Sequence, residues 1–177
     1  MIDNPAALKE NIVQEGLRNC GLSESILKKD PMMAVEALGD PMIVAAAGLA
    51  VGAAESVPVL LAGGTQMAAV LSVIKGMDDS VLDNIALGTT RWIVEDKSSD
   101  LIDLVSQIAK VPVLAADLNF STSKYDGLNV YEKGLVKEGV GAGGSSIAAM
   151  LMSDGKINAR NLLDEIEKNY VRLVSRR

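Results

Sequence analysis

Two segments of this chain nearly repeat one another. Val57-Pro58-Val59-Leu60-Leu61-Ala62 and Val111-Pro112-Val113-Leu114-Ala115-Ala116 are short, unbroken apolar runs, each entered from a helical pattern through a very short link. An unbroken apolar run of this length reads as a strand covered on both faces, and a recurring helix-strand unit joins strands that run the same way. Ile85-Ala86-Leu87-Gly88 supplies a third strand, ending in Thr89-Thr90-Arg91. The expected fold is α/β, a parallel sheet with helices on both faces in a Rossmann-like three-layer arrangement. Residues 1–177 read as a single domain, with no linker or low-complexity tract.

The helical segments carry their own punctuation. Asn4-Pro5, Asp30-Pro31 and Asp40-Pro41 each place a capping side chain before a first-turn proline. The first helix has an apolar stripe through Leu8, Ile12 and Leu17 and ends near Gly21. The helix over 41–54 is apolar nearly all round, with Gly48 and Gly52 four apart, so burial on several sides and close backbone contact are expected. A helix from Thr65 carries Met67, Val70, Leu71 and Ile74 and stops at Gly76; another over about 99–109 carries Ile102, Val105 and Ile108. Residues 117–133 read as a polar loop, residues 147–152 as a short helix, and Asn158 opens a last helix with Leu162, Leu163, Ile166, Tyr170 and Leu173.

Composition removes several function classes. Aromatic residues make up only 3% of the chain, so the core is expected to be built from Ala, Val, Leu, Ile and Met. A net charge of −6 without aromatic-basic clustering leaves no footprint for nucleic acid; Arg172, Arg176 and Arg177 complement a helix end. With no histidine there is no Ser-His-Asp triad and no imidazole ligand, and no metal site is expected. Cys20 is the single cysteine and is expected to be a small buried hydrophobe, with the cytoplasm as the compartment. The uncharged stretches 41–54 and 56–74 do not span a membrane, being respectively too short and interrupted by Pro58, Gly63, Gly64, Thr65 and Gln66.

In a parallel sheet the strand ends Gly63-Gly64-Thr65, Gly88-Thr89-Thr90 and Asp117 emerge at one edge, where open α/β folds bind ligands. Gly63-Gly64 turns directly into a helix, offering free amides, the Thr65 hydroxyl and a favourable dipole to a phosphate; the plain alternative is a strand-helix turn. A second glycine-rich segment, Glu138-Gly139-Val140-Gly141-Ala142-Gly143-Gly144-Ser145, runs into a helix beginning near Ser145. Bare backbone at Gly139, Gly141, Gly143 and Gly144 allows close approach to a ligand, with Glu138 the charged acceptor beside it; the plain alternative is a surface turn with Glu138 solvated. The match to G-x-G-x-x-G lacks the flanking strands and acidic strand end of a dinucleotide fold, which sets aside a dehydrogenase. Arg91 either binds an anion or is solvated while Trp92 packs under a loop.

Asp30-Pro31-Met32-Met33-Ala34-Val35-Glu36-Ala37-Leu38-Gly39, the Ala/Gly-rich helix to Ala54 and Val57-Pro58-Val59-Leu60-Leu61-Ala62-Gly63-Gly64 resemble nicotinate-nucleotide–dimethylbenzimidazole phosphoribosyltransferases. Gly134-Leu135-Val136-Lys137-Glu138-Gly139-Val140-Gly141-Ala142-Gly143 is similar to that family's Gly-Leu-x-x-Gly-Glu-Gly-x-Gly-Ala segment, in a wording closest to its archaeal branch. The resemblance covers nearly the whole chain but about the second half of the family's length, implying the C-terminal half of a larger fold. It implies a pentosyltransferase that moves the ribosyl phosphate of nicotinate mononucleotide onto a benzimidazole or adenine-type base in cobamide lower-ligand synthesis, without a cofactor, in a homo-oligomer. It makes Glu138 the catalytic base. Gly63, Gly64, Thr65, Gly88, Thr89, Thr90, Arg91, Gly139, Gly141, Gly143 and Gly144 are the candidate substrate- and phosphate-binding residues. The bacterial pattern has Asp-Gly where this chain has Ala62-Gly63, and a Ser-His-rich loop where it has Gly88-Thr89-Thr90-Arg91. A nucleotide-binding or assembly domain without catalysis is the other reading.

Overall fold

The computed structural model describes residues 6–98, 100–134 and 139–175. The expected cap at Asn4-Pro5, Ser99, Leu135 to Lys137, the candidate base Glu138, and Arg176 with Arg177 lie outside the described residues. Among the described residues four helices precede the sheet: α1 (Ala6–Cys20), α2 (Glu24–Leu27), α3 (Pro31–Leu38) and α4 (Pro41–Ala54). The caps of α3 and α4 form as expected. Asp30 accepts from the Met33 amide and Asp40 from those of Met42 and Ile43, each before a proline that has no amide to offer.

The sheet is three parallel strands in the order β1 (Val59–Ala62), β2 (Ile85–Thr90), β3 (Val113–Ala116). β1 leads into α5 (Thr65–Met77), β2 into α6 (Arg91–Glu95) and α7 (Leu101–Ile108), so each return to the sheet crosses by a helix. Val57, Pro58, Val111 and Pro112 fall just outside their strands. Conversely, β2 runs on through Thr89 and Thr90, which lie in the sheet and not in a loop beyond it. Gly76 is inside α5, which continues to Met77 and packs Gly76 against Pro31.

Strand alternation sends Leu61, Ile85 and Leu87 to one face, against Val70, Leu71 and Ile74 of α5, Ala47, Ala50 and Ala54 of α4, and Leu101 and Val105 of α7. This core holds no aromatic residue. All five aromatics of the chain sit in a second cluster: Trp92, Phe120, Tyr125, Tyr131 and Tyr170, around Leu118 and Leu128. Trp92 stacks at 5.1 Å from Phe120 and 5.4 Å from Tyr131, and Tyr125 lies 5.2 Å from Tyr170 of α10 (Ala159–Val174). Residues 117–133 are therefore folded, with a 3-10 turn at Phe120–Thr122 and α8 (Asp126–Asn129), where a polar loop was expected. A composition-poor supply of aromatics is spent entirely on pinning this segment to the sheet's end.

The opposite face of the sheet carries α9 (Val140–Met152), which contacts all three strands. α9 starts five residues before Ser145, so Gly141, Gly143 and Gly144 are helical and not part of an open loop. The reason is steric. A methyl built on Gly144 would come within 2.5 Å of Ala62 Cβ and 2.8 Å of the Gly88 carbonyl oxygen, and one on Gly143 within 2.4 Å of the Thr89 carbonyl. Glycine lets the helix lie backbone-to-backbone on β1 and β2, and Gly88 reciprocates, its absent methyl leaving room for Gly144 Cα.

Three expectations about burial fail. α4 buries Ala47, Ala50 and Ala54 and half-buries Ile43, Ala46 and Val51 against the core, but its outer side is exposed, and nothing lies within 4 Å of a methyl built on Gly48 or Gly52. On α1 only Leu17 of the stripe is buried, with Leu8 58% and Ile12 60% exposed. Cys20 is exposed, its thiol 3.7 Å from the Ala37 carbonyl, because it lies at the open end of α1. No helix among the described residues is long and apolar enough to cross a membrane.

Candidate functional site

The carboxyl ends of the strands draw the candidate residues together. Ala62 aligns with Gly88 and Thr90 with Ala116, and the Gly63 amide donates to the Gly88 carbonyl at 2.9 Å. The chain then turns through buried Gly63 and Gly64 into α5, where the Met67 amide donates back to the Gly64 carbonyl. Helix geometry leaves the amides of Thr65 and Gln66 without a partner inside α5. Thr65 itself is exposed at this end.

The start of α9 arrives at the same place. Gly139 opens it with φ +74°, a left-handed conformation that L side chains rarely adopt, and accepts at its carbonyl from the Ala142 amide at 2.8 Å. Val140 and Gly141 have no amide partner inside α9. A methyl on Gly64 would touch Val140 Cγ2 at 3.5 Å, and one on Gly141 would touch the Ala62 carbonyl oxygen at the same distance. Two helices, each thirteen residues long, thus bring their positive ends together over the end of β1.

Thr90 completes this corner. Gly88 faces α9, so alternation places Thr90 on that same face and Thr89 on the other, among Ile85 and Leu87. Both hydroxyls are buried and lack a hydrogen-bond partner. Thr90 is 6% exposed and caps nothing, although it immediately precedes α6; Thr89 is fully enclosed in the core and does not reach the site. Leaving a buried hydroxyl unpartnered costs about 1–3 kcal/mol, and of the two threonines only Thr90 lies on the α9 face.

Arg91 is spoken for. Its Nη1 lies 2.7 Å from Glu95 Oε2, its Nε 3.1 Å from Asp117 Oδ1 and its Nη2 2.5 Å from Glu132 Oε2, with the side chain 28% exposed. Burial works against its charge, but the Glu132 and Asp117 carboxylates outweigh that and hold its pKa above the ordinary arginine value. Three carboxylates surround one guanidinium, so Arg91 ties together α6, the end of β3 and the turn at Glu132. Trp92 packs as the plain alternative had it, with the Arg91 guanidinium 6.0 Å above its ring. Of the three pairs only Arg91–Glu95 is local, four apart on α6; Asp117 and Glu132 come from 26 and 41 residues downstream.

Among the described residues no group of acidic or cysteine side chains is arranged to hold a metal ion. Among the described residues the corner offers free helix amides and the Thr90 hydroxyl, a set of hydrogen-bond donors.

No protein-family model matches the chain. It is 44% identical over 171 residues to a UPF0284 protein of Sulfolobus acidocaldarius, a match covering 97% of this chain and 46% of that protein. It is 44% identical to a UPF0284 protein of Crocosphaera subtropica and 43% identical to one of Sulfurisphaera tokodaii, covering 93% and 98% of this chain and 46% of each relative. Each of these relatives is a UPF0284 protein. The chain spans about half the length of these curated relatives.

Proposed function

We propose that the paired helix ends bind the phosphate of a nucleotide, and that the chain forms part of a phosphoribosyltransferase acting on nicotinate mononucleotide. The observation that carries the phosphate reading is the meeting of the α5 and α9 N-termini beside the unpartnered Thr90 hydroxyl. The reaction itself rests on the resemblance around Glu138. With the phosphate fixed, the ribose C1′ is held for attack by a ring nitrogen of a benzimidazole or purine. The new N–C1′ bond forms as the bond from C1′ to nicotinate breaks. The attacking ring becomes cationic, and a carboxylate at Glu138 takes the proton from its second nitrogen.

The test is incubation of this chain, and of a family-length relative, with nicotinate mononucleotide and dimethylbenzimidazole while released nicotinate is quantified. Release that collapses in Glu138→Gln with nucleotide binding retained is the expected result. Binding without release, in both proteins, would favour a nucleotide-binding module, the reading to which the chain's half-length match lends weight. Absence of nucleotide binding in both would remove the phosphate site.

A further inference from the structure

We infer that the outer face of α4 is a docking surface for an apolar helix belonging to that part of a family-length chain which lies outside the matched segment. Between Pro41 and Ala54 there is no charged or polar side chain, yet only Ala47, Ala50 and Ala54 are buried. The rest presents Met42 at 42%, Val44 at 41% and Leu49 at 77% exposure, beside Gly48 and Gly52. A helix that is apolar all round belongs in an interior, and left half in water it forms a continuous apolar patch of the kind that marks an interface.

The shape of the patch specifies the occupant. Gly48 and Gly52 lie one turn apart with nothing within 4 Å of either missing methyl, so they form a shallow notch in the helix surface. Leu49 stands beside it as a ridge. Another helix can lay its own backbone close into such a notch and pack its side chains around the leucine. Strand edges and extended peptides need amide and carbonyl partners, which a closed helical backbone does not supply. The source of that helix follows from the comparisons. The relatives match this chain along almost all of its length but devote only 46% of their own to the match. More than half of a family-length molecule is therefore available to cover the face.

The experiment is hydroxyl-radical footprinting of Met42 and Leu49 in two molecules: this chain by itself, and a family-length chimera in which it replaces the matched segment of the Sulfolobus acidocaldarius relative. Labelling is expected to fall several-fold in the chimera, and the double substitution Gly48→Leu with Gly52→Leu is expected to restore it while leaving this chain by itself folded. Equal labelling in a chimera that melts cooperatively overturns the proposal. So does protection already present in this chain by itself with a dimeric mass, which would make a second copy the occupant. Should the chimera not fold, the peptide of the natural relative that aligns with α4 is footprinted instead: protection there supports the docking, and ready labelling overturns it.

Discussion

Replacing Gly144 by alanine and Gly48 by alanine should move stability in opposite directions, although both glycines sit inside helices. In a helix interior the exchange ordinarily gains about 0.5–1 kcal/mol, because glycine loses more backbone freedom on folding. At Gly48 the new methyl meets open space, so this gain should appear in full. At Gly144 the methyl would lie 2.5 Å from Ala62 Cβ, 2.7 Å from Ala62 Cα and 2.8 Å from the Gly88 oxygen. Carbon contacts are comfortable at about 3.5–4.0 Å, so α9 must retreat from the sheet by about 1 Å. None of the three atoms belongs to a side chain that can swing away. Overpacking of this kind costs about 1–3 kcal/mol or more, which exceeds the helical gain. Gly143→Ala, with its methyl 2.4 Å from the Thr89 carbonyl, should behave like Gly144→Ala. Urea unfolding followed by far-ultraviolet circular dichroism reads both effects. A loss of about 2 kcal/mol corresponds to a midpoint lower by about 1 M at a typical m-value for urea. A Gly144→Ala protein as stable as its parent, with Gly48→Ala unchanged or weaker, would refute the backbone-to-backbone packing of α9.

Other substitutions probe the site and its supports. Thr90→Val replaces an unpartnered hydroxyl by a methyl of similar size, so it should leave stability equal or higher while weakening nicotinate mononucleotide binding about tenfold by calorimetry. Thr89→Val, on the other face of β2, should stabilise in the same way and leave binding unaltered. Arg91→Ala should cost about 2 kcal/mol, or about 4–8 °C in melting temperature, and Arg91→Lys should recover little of it because an ammonium does not reach three carboxylates in fixed directions. Asn158→Ala removes a capping box in which Asn158 and Asn161 each bond the other's amide, and should cost about 1 kcal/mol in a thermal melt.

The sheet was legible because its evidence is local. An apolar run of strand length between helical patterns reads the same from any structure that contains it, and β1, β2 and β3 fall within two residues of their runs. Asp30, Asp40 and Asn158 announced their helices for the same reason, since a cap is a contact across three residues. The glycine-rich segment misled about where α9 begins. Isolated glycines disfavour a helix, and only the proximity of β1 and β2, far off in sequence, makes Gly143 and Gly144 the residues a helix needs there. The ion pairs of Arg91 were hidden likewise: its charge is visible in the sequence, while Asp117 and Glu132, which pair with it, are brought there by the folding of residues 117–133 around the aromatic cluster. For α4 the all-apolar composition signalled burial on several sides, but the described residues cover only one side of it.

The intimacy between α9 and the sheet has a mechanical outcome. Most helices rest on a sheet through a cushion of long side chains whose rotamers absorb small displacements, but over β1 and β2 this one has carbonyls and α-carbons for a seat. Its leading end and the tip of β2 must then travel as one rigid piece. Any adjustment of that corner has to come from parts of the molecule that do not rest on this seat.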